Sequence, residues 1–171
     1  LPPINLIIMQ GAQGVSIDME PIVLENRCLA DDPDEVTASI GRLAAMKTNQ
    51  ELRQTIANEI QRLAGYERVM CYMFHEDQHG EVVAEATSVP NVRSYHGLHF
   101  PATDIPKRAR DLFLLNKARI IVDSTAKPVS LVCLEDSPVD VHSIILSNST
   151  TRAVHPAHLE YLVNWGVKAT L

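Results

Sequence analysis

The sequence predicts an α+β fold in which an antiparallel sheet is flanked by helices, and three observations carry that prediction. Arg68–Phe74 (RVMCYMF) and Glu81–Thr87 are β-patterned runs on either side of a polar turn, His75–Gly80. Leu52, Ile56, Ile60 and Leu63 recur at helical spacing just before them. Helix starts at Pro106 and Pro156 follow, each proline suiting a first helical turn.

Taken in order, Leu6–Met9 and Val15–Pro21 (VSIDMEP) are β-like runs separated by Gly11-Ala12-Gln13-Gly14, which reads as a hairpin too small to be a domain. A polar linker runs from Glu25 to Pro33. Asp32 then caps, Pro33 takes the first turn and Glu35 completes a capping-box pattern, so a helix is expected from Pro33 to Met46. Thr48-Asn49-Gln50-Glu51 is a second capping box, and Gly65 ends the helix it opens. Arg68–Phe74 is apolar on both alternating faces, the pattern of a central strand covered on two sides. Arg119–Asp123 (RIIVD) predicts a third strand. Pro128–Ser149 contains strand-like Val129–Leu134 and Ile144–Leu146 without a clean period. Pro156 opens a helix with His158, Tyr161, Leu162 and Trp165 on one face before Gly166 caps it. Val167–Leu171 starts another strand, the pattern of a chain cut inside its domain.

Composition narrows the function. A chain of 171 residues, 46% hydrophobic and 21% charged, reads as one domain with part of a second. Its net charge of -6 argues against general nucleic-acid binding, which needs a sustained basic surface. No apolar run approaches membrane-spanning length and no secretory signal is visible. Cys28, Cys71 and Cys133 lie far apart, which disfavours a disulfide framework or a metal site and predicts a reducing, cytosolic setting. Neither Cys71 nor Cys133 adjoins a histidine, so a catalytic thiol is not favoured. The histidines include no HxxxH pair on a helix, so no metal site is expected, and no glycine-rich loop precedes a helix to cradle phosphate.

The most informative segment is Tyr95–Pro106 (YHGLHFPATDIP), where Asp104 sits between two prolines. Pro101 and Pro106 fix φ and push their preceding residues toward extended geometry, so the stiff backbone from Phe100 to Ile105 can turn its carbonyls to a ligand. With Thr103 or Asp104 near the cap, the helix after Pro106 presents Ala109, Leu112 and Phe113 at apolar spacing. Read alone, the run is also an ordinary proline-bracketed helix start. Tyr72, His158 and Tyr161 are polar residues where the pattern predicts burial, so each needs a core neighbour or a ligand as partner. Arg119 and Arg152 lie beside apolar residues. A guanidinium forks well onto a carboxylate, although either arginine alone also reads as surface solvation or a structural ion pair.

Three blocks, GYERVMCYMFHEDQHGEVVAEA (Gly65–Ala86), YHGLHFPATDIPKRARDLFLLNKARIIVD (Tyr95–Asp123) and RAVHPAHLEYLVNWGVKATL (Arg152–Leu171), closely resemble the chromophore-binding GAF domain of phytochromes. The resemblance runs from Glu51 to Leu171, and VSIDMEP with the helix after it resembles the end of the preceding PAS domain and its connection. It implies residues 1–30 as the end of PAS and a linker, and 31–171 as a GAF domain incomplete at its C-terminus. It further implies a red/far-red photoreceptor module holding a linear tetrapyrrole, a bilin, whose photoisomerisation signals to an output domain. By that resemblance Asp104 organises hydrogen bonds to the pyrrole nitrogens and the final ring, and Ile105 offers its carbonyl to the same nitrogens. His158 stacks beside the inner rings, Arg119 and Arg152 clamp the propionates, and Thr170 adds a hydroxyl. Tyr72, Phe100, Phe113 and Tyr161 wall the isomerising ring. A flat ligand with a cationic core and two carboxylates needs such walls, a fixed anion or carbonyl, and arginines. The implied partners are the bilin, PHY and output kinase domains in cis, and a second copy as homodimer, with no nucleic acid and no membrane. The chain itself is not expected to be an enzyme.

Three departures from the family pattern matter. Where plant and many cyanobacterial phytochromes carry the attachment cysteine, this chain has Ala157, which implies the biliverdin-type arrangement with the linking cysteine ahead of the PAS domain. The family continues past Leu171 with further strands, a second pocket histidine and a closing helix. The stretch between Asp140 and Arg152 is longer than usual, and one residue is added before Tyr95. The alternatives are a bilin-free PAS–GAF pair that binds another small molecule or dimerises, and an enzyme using Cys71 or Cys133.

Overall fold

The computed structural model describes residues 3–11, 13–22 and 28–171. It divides into two compact units, Leu1–Ile22 with Lys107–Leu171, and Val23–Pro106. Ala12 of the expected turn and residues 25–27 of the expected linker lie outside the described residues.

In the first unit, β1 (Ile4–Gly11) and β2 (Gly14–Pro21) pair antiparallel, with Gly11 opposite Gly14. Gly14 closes the turn at φ 134°, a value that only glycine adopts freely. Side chains alternate across the pleat, so Leu6, Ile8, Ile17 and Met19 share one exposed face while Asp18 is buried on the other. Among the described residues, two α-helices, α3 (Lys107–Leu115) and α4 (Pro156–Asn164), and a short 3-10 turn, Val141–Ser143, complete the regular structure around a small core that includes Ile121 and Leu162.

The remainder of this unit corrects the expected strands. Arg119–Asp123 makes a single antiparallel bridge, Ile121 with Thr170, because the Asp123 carboxylate accepts from the amide and hydroxyl of Thr125 and turns the chain at once. Val167–Leu171 accordingly contributes that bridge and no strand. Val129–Leu134 and Ile144–Leu146 form no strand; Val129 and Val132 are each 91% exposed, so apolar composition there has no facing layer to pack against. On α4, Leu162 is buried and Leu159 half-buried, whereas His158, Tyr161 and Trp165 are exposed, contrary to the burial expected of that face.

In the second unit, α1 (Pro33–Ala44) starts at Asp32, whose side chain accepts from the Asp34 amide. Glu35 does not close the expected box, because Arg62 holds its carboxylate at 2.8 Å. The second box forms as expected, Thr48 with Glu51, and opens α2 (Asn49–Ala64), which Gly65 ends at φ 73°. Glu59 of α2 is buried and ties the two helices together, accepting from Ser39, Arg42 and Arg62. Helix α2 packs on the sheet formed by β3 (Arg68–Phe74), β4 (Gly80–Thr87) and β5 (His99–Phe100), in the order β3-β4-β5, all antiparallel. The central strand is therefore β4 and not β3 as its composition suggests. Burial follows this order, with Val82 and Ala84 of β4 and Ala57 of α2 all but inaccessible while β3 is half-exposed.

Candidate functional site

The candidate residues of the second unit sit on and just after the sheet. A bulge between Cys71 and Tyr72 shifts the register, so that Tyr72 lies opposite Val82 and Phe74 opposite Gly80. Phe100 pairs with Gly80 from the other side. Partners in register share a face, which brings Tyr72, Phe74 and Phe100 together: Tyr72 meets Phe74 edge-on at 5.2 Å and Phe100 tilted at 6.0 Å between centroids. Gly80 makes this possible, because a Cβ there would run into the Tyr72 phenol. Directly after β5, the Asp104 amide donates to the Pro101 carbonyl at 3.1 Å and closes the proline-bracketed turn, with Asp104 and Ile105 half-buried. Helix α3 then begins at Lys107, immediately past Pro106.

In the first unit, residues 149–152 are held from two sides. Asp18 of β2 takes their donors: the Ser149 hydroxyl at 3.1 Å, the Thr150 amide and hydroxyl each at 2.7 Å, and the Thr151 amide at 3.2 Å. Burial pushes the Asp18 carboxyl up, but the donors of Thr150, Thr151 and Ser149 outweigh it and leave it below its ordinary 3.8. Arg119 takes their acceptors, donating to the Thr150 carbonyl at 2.6 Å, to the Arg152 carbonyl, and to the Ser149 carbonyl at 3.5 Å. Upstream, Gln13 holds Ser143 and Ile145, and Asn116 holds Ser147. Burial and the neighbouring Arg152 cation lower the Arg119 guanidinium, partly offset by Asp18. Arg152 differs from Arg119 in having an unused donor: its Nε is buried and, among the described residues, has no hydrogen-bond partner.

No protein-family model matches the chain. Over 176 residues it is 38% identical to Phytochrome B of Nicotiana tabacum, covering 99% of this chain and 15% of that protein. Over 122 residues it is 48% identical to Phytochrome A of Zea mays, covering 71% of this chain and 10% of that protein. The solved chromophore-binding domain of Stigmatella aurantiaca phytochrome P1 matches with a TM-score of 0.86 and 34% identity, covering 97% of this chain and 54% of that one. The chain belongs to the phytochrome family. It spans a small part of the curated relatives and about half of that structure.

Within this phytochrome fold, the remaining candidates line up along the first unit. His158 lies one turn into α4, exposed as a residue, yet its imidazole is lowered from 6.5, first by partial burial of the ring nitrogens and then by the Arg119 cation. It is therefore neutral at pH 7, with one ring nitrogen free to accept. Phe113 and Tyr161 leave about half their surfaces accessible. Thr170 spends its backbone on the bridge to Ile121, and its hydroxyl donates to the Leu171 carbonyl at 3.4 Å. Ala157 lies at the start of α4, where its amide donates to His155 Nδ1 and its side chain offers no nucleophile. Cys28 is exposed, and Cys71 and Cys133 are half-buried.

Sequence reasoning passed over Asp18, the residue that anchors this segment. Its signal was a lone carboxylate inside an apolar strand, VSIDMEP, where any buried acid must collect donors.

Proposed function

We infer that the chain is the bilin-binding part of a red/far-red photoreceptor, with its first residues (1–30) completing a PAS domain and 31–171 forming the GAF domain. The match along the whole chain to a phytochrome chromophore-binding domain carries this reading. The exposed apolar face of the β1–β2 hairpin, Leu6, Ile8, Ile17 and Met19, suits strands that belong to a larger sheet.

The chain's own donors fit the ligand. A buried guanidinium nitrogen without a partner calls for an anion, and Arg152 Nε would take a bilin propionate. Arg119 fixes the backbone of that arginine and contributes positive potential to the second propionate. The neutral imidazole of His158 stacks beside the inner rings and shares an ordered water with them, Thr170 adding its hydroxyl. Asp104 and the Ile105 carbonyl face the pyrrole nitrogens from a stiff turn, and Tyr72, Phe100, Phe113 and Tyr161 bound the final ring. When bound, the bilin supplies the light-driven double-bond isomerisation; the protein sets how freely the last ring turns. With Ala157 at the plant attachment position, the ligand is of the biliverdin type. PHY and kinase domains in cis, a homodimer and a cytoplasmic location complete the proposal, and signalling rather than catalysis is the task of this chain. No helix among the described residues is long and apolar enough to cross a membrane.

The test is biliverdin added to the full-length protein, with absorbance recorded before and after red illumination. A red band that photoconverts is expected. Absence of any band would refute the photoreceptor reading in favour of the bilin-free alternative.

A further inference from the structure

Three histidines from separate points in the sequence meet at one end of the three-stranded sheet. His75 follows β3, His79 precedes β4, and His99 opens β5; a ring nitrogen of each lies within 4.8 Å of the others. The backbone builds this arrangement. The His75 amide donates to the His79 carbonyl at 2.9 Å, and Gln78 at φ 75° turns the chain between them. On β5, His99 pairs with Glu81, so its side chain leaves the sheet on the face opposite Phe100 and the aromatic group around Tyr72. The cluster is thus separate from the residues assigned to the bilin.

We propose that His75, His79 and His99 form a binding site for a divalent transition metal, zinc being the natural probe. Imidazole is the ligand such cations share. His79 Nε2 and His99 Nδ1 stand 3.1 Å apart, close to the roughly 3.3 Å that separates two nitrogens bound at ~2.0 Å to one tetrahedral zinc. The metal replaces the single proton that now joins them. His75 is stacked on His79, with planes 5° apart and centroids at 4.2 Å, so its ring turns about the Cβ–Cγ bond to point a lone pair at the same ion. Outer partners are already in place. Glu81 holds His75 Nε2 at 2.8 Å, and Asp77 holds His79 Nδ1, leaving the opposite nitrogen of each ring for the metal. Carboxylates in this position orient metal-bound imidazoles and raise their basicity. Helical HxxxH spacing does not reveal such a site, because one ligand arrives from a strand 20 residues away.

Zinc titration of the protein, purified without bilin because tetrapyrroles chelate zinc themselves, tests the proposal by calorimetry. One ion per chain is expected, with cobalt giving the visible absorption of a tetrahedral nitrogen site. His79→Gln and His99→Gln should each weaken binding by more than about 100-fold, and Glu81→Gln by roughly 10-fold or more, the range for an outer partner. His142→Gln, in a separate turn, should leave it unchanged. Should His79→Gln fail to fold, His99→Gln alters an exposed ring and decides the matter alone. No saturable binding, or binding that survives His99→Gln, would overturn the proposal.

Discussion

Replacing Asp18 should loosen the segment that carries Arg152 without touching any proposed bilin contact directly. Four donors converge on this carboxylate: the Ser149 hydroxyl, the Thr150 amide and hydroxyl, and the Thr151 amide. Thr151 is exposed, so water can satisfy its amide after Asp18→Ala. Ser149 is 6% exposed and Thr150 half-buried, and these cannot be rehydrated without moving. The Ser149 hydroxyl can turn to Thr151 Oγ1 at 3.2 Å, which leaves the two Thr150 donors without an acceptor, so at about 1–3 kcal/mol each Asp18→Ala should cost about 2–6 kcal/mol. Asp18→Asn keeps one acceptor oxygen but loses the charge, which roughly halves each bond, so a loss of about 1–2 kcal/mol is expected. Urea unfolding reads both values, and biliverdin titration reads the consequence, a loss of affinity similar to that of Arg152→Ala. The pH dependence has a definite sign. The folded carboxyl lies below its ordinary 3.8, so its stabilisation is complete above that value and is lost as pH falls through the lower folded one. If both variants unfold at the wild-type urea midpoint and bind biliverdin normally, the anchoring role of Asp18 is wrong.

Arg152→Ala should weaken bilin binding by about 1.5–3 kcal/mol without lowering the urea midpoint, whereas Arg119→Ala, which frees backbone carbonyls, should lower both; titration and unfolding together separate them. Asp104→Ala should change photoconversion more than affinity, and an unaltered photocycle would contradict its role. Gly80→Ala drives a Cβ into the Tyr72 ring and should cost about 1–3 kcal/mol, with an altered near-ultraviolet circular dichroism signal from the displaced aromatics. Glu59, held at about 2 mainly by Arg42 against an ordinary 4.5, sets an upper bound of about 3.4 kcal/mol, and with Arg42 half-exposed Glu59→Gln should cost about 2 kcal/mol at pH 7. That contribution is present above pH 4.5 and disappears as pH falls toward 2, so wild type and variant should converge in acid unfolding.

Where local chemistry decides the structure, the sequence was legible. The Thr48–Glu51 box, the Gly65 and Gly166 stops, and both hairpins depend on neighbours in the chain, and all form as read. Glu35 fits the same capping pattern yet does not cap, because Arg62, 27 residues away, offers a charged partner in place of a backbone amide. Composition alone ranks β3 above β4 as the central strand. Pairing reverses that order: β5 joins the free edge of β4, and Val82 and Ala84 of the strand so enclosed are nearly inaccessible. RIIVD failed as a strand because a side-chain turn at Asp123 ends the pairing after one bridge. The aromatic and arginine candidates were visible as residue types, but the division between Arg119 and Arg152 was not, since it depends on carbonyls 30 to 33 residues distant.

That division gives the proposed propionate clamp two arginines in unlike environments. A propionate clamp must hold a cation at a fixed point, yet an arginine carries about 2 kcal/mol of rotamer entropy and a loop adds more. Here the loop is fixed before any ligand arrives. A buried carboxylate takes its amides and a guanidinium takes its carbonyls, so each charged group satisfies the half of the backbone the other cannot. The cost is that Arg119 is largely spent on structure. The gain is that Arg152 starts from an anchored main chain, with its Nε already desolvated and unpaired. An anion meeting that nitrogen orders no loop, which is a condition under which one charged hydrogen bond retains most of its strength.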